Sequence, residues 1–374
     1  MKLFGQEEIT PLAKADIGVV LGGEGIPTCL TAPQVGKVMA GIYPNWDAAA
    51  YADWCRRFDL PENKKYGDYS TGMKMKQCLA VALSHHPKLL LLDEATSGLD
   101  PVVRDELIDL LLDFVRDENH AILISSHIVS DLEKLCDTIA FLHKGKLLLC
   151  EDKDTLREEY ALWHGTCRAI GGAGQERRRQ PSGDSLRCRG AGEEGTCPGG
   201  QHPDTGEYRR TVRFDGERGE YAMKGLLLKD WYQVRTSMKA MYLSVAFVLV
   251  IWMFSTSSAY VFPVSYAAVF LGILPVNLLA YDHASGWTEY SFALPLSKEL
   301  QVAEKYLVGL LCTAVSAALN GIFCGILFWM GKPLPAMPIG LLLGAGAASI
   351  LLINGSCCRC TTVLAQKRRG CSTC

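Results

Sequence analysis

The stretch that decides the fold is LLLLDEATSGLDP, residues 89–101. Four leucines that run into Asp93 and Glu94 are typical of a parallel strand that is buried on both faces and brings acids to its carboxyl edge. Open α/β sheets bind ligands at that edge. Pro101 suits the first turn of a helix, which the spacing of apolar residues predicts over 102–116. The stretch therefore predicts an α/β fold with an acidic ligand site.

Further strands and helices are expected on the carboxyl side of this stretch. A second strand is predicted over 121–125, and it runs towards His127. A helix over 130–136, a strand over 139–143 and a turn at Lys144-Gly145 complete the pattern. Strands that alternate with helices in this way favour a parallel sheet.

A second informative run is Tyr69-Ser70-Thr71-Gly72-Met73, ahead of a helix predicted over 73–83. Ser70 and Gly72 lie at the start of that helix, where free N–H groups and the positive end of the helix dipole can face phosphate. Together with residues 89–101 and His127, this run resembles the ATP-binding-cassette (ABC) ATPases. It is similar to the signature motif of that family, in the variant found in exporters. The order and spacing of the motifs agree with the family.

The resemblance implies a role for each motif. Asp93 matches the Walker B aspartate that holds Mg²⁺, Glu94 the catalytic base, and His127 the switch histidine at the γ-phosphate. Phosphoryl transfer needs such a metal holder, a water-positioning base and charge stabilisation. The implied nucleotide-binding residues are Ser70, Thr71, Gly72, Met73 and Asp93, with Ser97, Gly98 and Asp100 of the D-loop. ATP and Mg²⁺ are the implied cofactors. Simpler alternatives are a helix-capping role for Asp93 and Glu94, and a structural role for His127.

Two family motifs are not found where the resemblance places them. Residues 1–374 contain no G-x-x-x-x-G-K-[ST], the Walker A loop that cradles the α- and β-phosphates. In the family this loop precedes the segment that Lys2–Gly5 resembles. The Q-loop glutamine is expected soon after Ile17-Gly18, where Leu21, Gly22 and Gly23 stand, and Gln34 lies too far along. We therefore expect the chain to bind ATP weakly or not at all.

The second half of the chain predicts an all-α polytopic membrane domain. From Met223 it resembles the permease of an ABC exporter. Each of four apolar stretches has about the 20 residues that cross a bilayer, and they cover residues 241–260, 262–281, 306–330 and 338–354. Lys229, Arg235 and Lys239 place the start of the first span on the cytoplasmic side. The run 292–297 resembles the cytosolic segment of such permeases, which is a docking surface for the ATPase.

Four regions follow from these patterns. Residues 1–164 are a P-loop-NTPase-like partial ATPase domain that lacks the Walker A part, and 223–356 a partial permease with about four transmembrane helices. Residues 165–222, rich in Gly, Arg, Glu and Pro, are either a disordered linker or frameshifted sequence. The cysteine-rich tail 357–374 is either frameshifted or a zinc site at Cys357, Cys360, Cys371 and Cys374.

Three functions are compatible with the sequence. The first is an ABC transporter component in the cytoplasmic membrane, with its ATPase part on the cytoplasmic side, that couples ATP hydrolysis to export of an unknown substrate. Its partners would be a second ATPase subunit across the ATP sites, a permease subunit and membrane lipid. Nothing in the net charge of −2 suggests a nucleic-acid partner. The second is a non-catalytic, frameshifted remnant or fusion of adjacent genes. The third, a soluble ABC protein of DNA repair or translation, is disfavoured by the four predicted spans.

Overall fold

The computed structural model describes residues 10–159, 216–237, 239–254 and 261–331. The cysteine-rich tail, the fourth predicted span (338–354) and most of the unusual segment 165–222 lie outside these residues. The elements of the ATPase-like part are α1 Pro11–Lys14, β1 Ile17–Leu21, α2 Ala32–Ile42, α3 Ala48–Arg57, α4 Thr71–Leu83, β2 Leu89–Asp93, α5 Pro101–Phe114, β3 Ala121–Ser125, α6 Val129–Leu135, β4 Thr138–His143, β5 Lys146–Asp152 and α7 Lys153–Glu159.

The central sheet is parallel, with the strand order β1-β2-β3. Its register pairs Leu21 with Asp93 and Asp93 with Ser125. The carboxyl ends of the three strands therefore meet at one edge, as the leucine-rich stretch predicts. Leu90 and Leu92 are buried, and α4 packs against β1. Leu89 and Leu91, on the other face of β2, are only half-buried. The prediction of a strand buried on both faces is therefore wrong, because the described elements cover that face only in part.

The structure moves several predicted boundaries and adds a strand. Helix α4 begins at Thr71 rather than Met73, because the hydroxyl of Ser70 accepts a hydrogen bond from the Met73 N–H (3.3 Å) and caps the helix there. The expected turn at Lys144-Gly145 is present, with both residues at positive φ (48° and 72°). It connects β4 to β5 as an antiparallel hairpin. Strand β5 is not among the elements that the sequence pattern predicts.

The described residues of the permease-like part are helical. They form α8 Gly216–Ser237, α9 Lys239–Phe254, α10 Val261–Ala284, α11 Trp287–Ser291 and α12 Lys298–Trp329. Among the residues searched, α12 is the one helix long and apolar enough to cross a membrane. It contains nearly all of the predicted third span (306–330). The first two predicted spans fall largely on α9 and α10, so the predicted number of spans stays a prediction.

The two parts share one hydrophobic core. Ile26, Leu30 and Val38 of the ATPase-like part belong to the same buried cluster as Trp287 and Leu294. Helix α8 packs along α2, and the backbones approach so closely that a Cβ on Gly41 would lie 2.6 Å from the Cα of Gly225. Glycine is therefore required where the two helices cross.

Candidate functional site

Asp93 lies at the carboxyl end of β2, on the edge where the parallel strands end. The hydroxyl of Ser125, at the end of β3, donates to its Oδ1 at 2.5 Å. The N–H of Gly22, after β1, donates to the Asp93 carbonyl at 3.0 Å. The neighbouring strands thus hold the backbone of Asp93, and the Ser125 hydroxyl orients its exposed carboxylate.

Glu94 and His127 form an acid–base pair beside Asp93. Nδ1 of His127 lies 2.7 Å from Oε2 of Glu94, so the ring N–H donates to the carboxylate. Glu94 has a left-handed backbone (φ 49°), which is uncommon for a non-glycine residue, and its N–H donates to the Ser125 carbonyl at 3.1 Å. Both side chains are open to solvent, at 43% for Glu94 and 68% for His127. A water molecule can therefore reach this carboxylate.

The residues present fit a magnesium ion only in part. Mg²⁺ is commonly bound by one or two protein carboxylates together with phosphate oxygens. Asp93 supplies one such carboxylate, and the Ser125 hydroxyl orients it. Among the described residues no group of three His, Cys, Asp or Glu side chains could hold a metal ion. A magnesium ion at Asp93 would therefore need a phosphate ligand.

The D-loop residues connect the acidic edge to α5. The N–H of Ser97 donates to the Glu94 carbonyl at 3.1 Å, and Gly98 turns the chain with a φ of 69°. Asp100 is the N-cap of α5, and its Oδ1 accepts from the N–H of Val102 at 2.9 Å. The helix-capping alternative for Asp93 and Glu94 is therefore wrong, because Asp100 has that role.

The signature residues lie at the start of α4. Thr71, Gly72 and Met73 form the first turn of α4 behind the cap Ser70. A Cβ on Gly72 would lie 3.5 Å from a methyl group of Val103, so this turn faces the start of α5. Within the described ranges, no hydrogen bond joins these residues to the Asp93, Glu94 and His127 side chains.

Gln34 has a local structural role. Its Oε1 accepts a hydrogen bond from the N–H of Thr31 at 3.0 Å, in a capping arrangement at the start of α2. Gly22 and Gly23 follow β1, where the family places the Q-loop. The hydroxyl of the buried Tyr66 donates to the Gly23 carbonyl. The structure agrees with the expectation that Gln34 does not reach the acidic edge.

The permease-like segment 285–296 packs against the loop that follows β1. Gly25 donates its N–H to the Ser285 carbonyl at 3.1 Å. Gly25 has a φ of 104°, and a Cβ there would lie 2.6 Å from the Cβ of Tyr290. Lys14 Nζ donates to the Phe292 carbonyl at 2.5 Å. The docking surface, which we define as Gly25, Tyr43, Tyr66 and the segment 285–296, therefore joins the two parts.

Aromatic side chains fill this docking surface. Tyr43 and Tyr290 are buried in the same cluster, at 4% and 3% exposure. Burial raises the pKa of both phenols above the ordinary value, so both stay neutral. In the sequence, only the run 292–297 predicts docking in this segment. The aromatic pair Trp287 and Tyr290, just after a polar stretch, was the further signal in the sequence.

Comparisons with known proteins agree with both parts. Residues 10–97 match the family "ABC transporter", and residues 225–356 match "ABC-2 family transporter protein". The ABC transporter ATP-binding protein YtrB of Bacillus subtilis is 38% identical over 130 residues, which are 35% of this chain and 44% of YtrB. The bacitracin transport ATP-binding protein BcrA of Bacillus licheniformis is 47% identical over 88 residues, 23% of this chain and 29% of BcrA. This chain thus spans less than half the length of either relative.

A solved ATP-binding subunit of an ABC transporter has 23% identity and a TM-score of 0.36, over 40% of this chain and 63% of that one. That TM-score is too low for conclusions about the site. The family matches and relatives define the class, an ABC transporter protein. More closely, the chain combines part of an ABC ATPase with part of an ABC-2 family permease. The predicted resemblance to an ABC ATPase and an ABC permease is thereby confirmed.

Proposed function

We propose that this chain is a component of an ABC exporter, in which ATP hydrolysis at the edge of β2 is coupled to movement of the permease helices. The observation that carries the proposal is the contact between Glu94 and His127 beside Asp93, in a chain whose ATPase-like part is packed against permease helices. The relatives and family matches support ATP-coupled transport as the activity.

Each residue of the acidic edge has a proposed task. Asp93 would hold Mg²⁺ together with the phosphates, and the ion would neutralise charge that develops on the γ-phosphate. Glu94 would accept a proton from the attacking water, which its exposure allows. His127 would donate a hydrogen bond to the γ-phosphate. The contact with His127 fixes the Glu94 carboxylate in place until nucleotide arrives.

The signature turn Ser70–Met73 would act on a nucleotide held by a second ATPase subunit. Its first-turn N–H groups can donate to phosphate oxygens, and the dipole of α4 favours a negative charge there. Within the described residues this turn makes no hydrogen bond to Asp93, which leaves it available to a nucleotide on the second subunit. Because residues 1–374 contain no G-x-x-x-x-G-K-[ST], contacts to the α- and β-phosphates would have to come from outside these residues.

The docking surface would transmit the ATPase cycle to the membrane. Tyr290 and its neighbours lie between the loop after β1 and the start of α12, so a shift of that loop would displace the permease helices. The ATPase part would lie on the cytoplasmic side. Since BcrA is named for bacitracin transport, we propose a peptide antibiotic as the substrate class. Bacitracin resistance of cells with and without the chain tests this.

The activity test uses membrane vesicles in which the full chain is co-expressed with an ATPase subunit that has its own G-x-x-x-x-G-K-[ST] loop. Glu94→Gln should lower Mg²⁺-dependent ATP hydrolysis by about 10²-fold, the usual effect of losing a general base. Glu106→Gln, on the exposed face of α5, is the matched control. Ser70→Ala should also lower the rate.

The possible results separate the two proposed roles. A loss with Ser70→Ala alone would contradict the role of Glu94 and leave the signature role intact. Rates that are unchanged in both variants would overturn the proposal that this chain takes part in hydrolysis.

A further inference from the structure

Five ionisable side chains from three helices form a buried ion cluster. Lys229 and Asp230 belong to α8, Asp282 to α10, and Glu304 and Lys305 to α12. The first four residues are 0–3% exposed, and the Lys305 side chain is 11% exposed. The proposed ATPase cycle makes no use of this cluster.

Two lysines and two aspartates form a closed ring of ion pairs. Lys229 Nζ lies 2.7 Å from Asp230 Oδ1 and 2.6 Å from Asp282 Oδ1. Lys305 Nζ lies 2.9 Å from an oxygen of each of the same two aspartates. These contacts lower the pKa of the Asp230 carboxyl, so it is ionised. The ring is therefore electrically balanced without a fifth charge.

Glu304 is the fifth member of the cluster, and its buried carboxyl group lies beside that of Asp230, because Lys305 Nζ is 2.9 Å from Asp230 Oδ2 and 3.3 Å from Glu304 Oε2. Two ionised carboxylates have no hydrogen to share, because each can only accept. Lys305 Nζ is the nearby cation, at 3.3 Å from Glu304 Oε2, and it already pairs with both aspartates. An ionised Glu304 would leave the ring with one unbalanced negative charge in a buried place, which is strongly unfavourable.

We propose that the cluster is a proton-binding site. In it, Glu304 carries a proton and donates a hydrogen bond to the ionised carboxylate of Asp230. With that proton the cluster has no net charge, and its ion pairs hold α8 against α10 and α12. Because α8 crosses α2 at Gly225, the same ion pairs connect the ATPase-like part to the start of α12. Loss of the proton would put two negative carboxylates side by side and loosen the junction.

The groups that face the cluster support this assignment. Helix α8 presents Lys229, Asp230 and the buried amide of Gln233. Helix α10 presents Asp282, and α12 presents Lys305 next to Glu304. Lys229 Nζ also lies 5.1 Å from the centre of the Trp287 ring, and two thiols are close, Cys29 to Lys229 and Cys312 to Asp230. None of these groups supplies a further positive charge that would stabilise an ionised Glu304.

The direct test is infrared spectroscopy of the full chain in detergent, with ¹³C-labelled glutamate. At neutral pH wild type should show the carbonyl band of a protonated glutamic acid, because solvated glutamates are ionised there. The band should disappear in Glu304→Gln and persist in Glu299→Gln, an exposed control one turn earlier. Absence of the band from wild type at neutral pH would overturn the proposal. This result is obtained with wild type alone, so it does not depend on whether a variant folds.

A second measurement follows the melting temperature between pH 6 and pH 9. The folded chain would hold a proton on Glu304 that the unfolded chain has released, so stability should fall as pH rises. Glutamine can also donate a hydrogen bond to Asp230, but it does not titrate. The melting temperature of Glu304→Gln should therefore fall less than that of wild type as the pH rises. Equal pH dependence in wild type, Glu304→Gln and Glu299→Gln would contradict the proposal.

Discussion

Two apolar regions of the chain differ in how far their side chains are buried. The docking surface and the helices around it are covered, and Leu30, Leu79 and Leu294 are at most 1% exposed. On the hairpin β4–β5, in contrast, Leu142, Leu147 and Leu148 are 60–75% exposed. Burial of apolar area stabilises a fold, so only the first region contributes much to stability. The contrast indicates that the permease-like segment is part of the core of the ATPase-like part.

The largest expected effect comes from shortening one leucine in each region. Leu294→Ala removes a fully buried side chain that packs against the ATPase-like part, and it should cost about 3 kcal/mol of unfolding free energy. Leu148→Ala makes the same chemical change at an exposed place and should stay within about 0.5 kcal/mol. Denaturant unfolding of the full chain in detergent measures both. Equal losses would remove the distinction between the two regions.

Acid should weaken the covered region through His85. Burial lowers its pKa to about 4, and its ring stacks on Tyr43 while Nδ1 contacts the Ala15 carbonyl at 3.1 Å. The unfolded histidine titrates near the ordinary value of about 6.5, so it binds more protons than the folded one between these values. Stability should therefore be complete above about pH 6.5 and fall by about 2–3 kcal/mol towards pH 4.

His85→Gln should remove this component of the acid dependence, and the exposed His143→Gln should not. Melting temperatures at pH 4.5 and 7 measure the difference. The same acid sensitivity in both variants would show that His85 does not cause it.

The glycine crossing should be sensitive to a single methyl group. In Gly225→Ala the new Cβ would lie 2.9 Å from the Val38 carbonyl oxygen, so α8 has to move away from α2. A cost of about 1–3 kcal/mol is expected from overpacking. Gly321→Ala is the control, since a Cβ there meets nothing within 4 Å and alanine suits a helix interior. If Gly225→Ala were as stable as Gly321→Ala, the close approach of α2 and α8 would be wrong.

The sequence was sufficient for local features of the acidic edge. The leucine run predicts the strand β2, since parallel strands are apolar throughout, but of the four leucines only Leu90 and Leu92 are buried. The spacing of Asp93, Glu94 and His127 predicts their meeting, because parallel strands end at one edge. The roles of Ser70 and Asp100 as helix caps needed the structure, which shows which backbone N–H groups their side chains reach.

Long-range contacts could not be derived from the sequence in the same way. The pairing of Lys229 with Asp282 and of Gly25 with Tyr290 joins residues far apart in the chain, and no local periodicity encodes it. The strand β5 was missed because its run of leucines follows a turn without the alternation of a half-buried strand. Its exposed leucines explain why that pattern is absent.

The central claim is that the ATPase-like and permease-like parts of this chain dock on each other, and a designed disulfide tests it most directly. A Cβ on Gly286 would lie 3.5 Å from the Cβ of Glu24, at the short end of the range of about 3.5–4.5 Å for disulfides. In the double variant Glu24→Cys and Gly286→Cys, mild oxidation of the full chain in membranes should give one peptide pair linked through these positions, detected by mass spectrometry. Each single variant should lack it. A folded double variant in which positions 24 and 286 never link would contradict the docking.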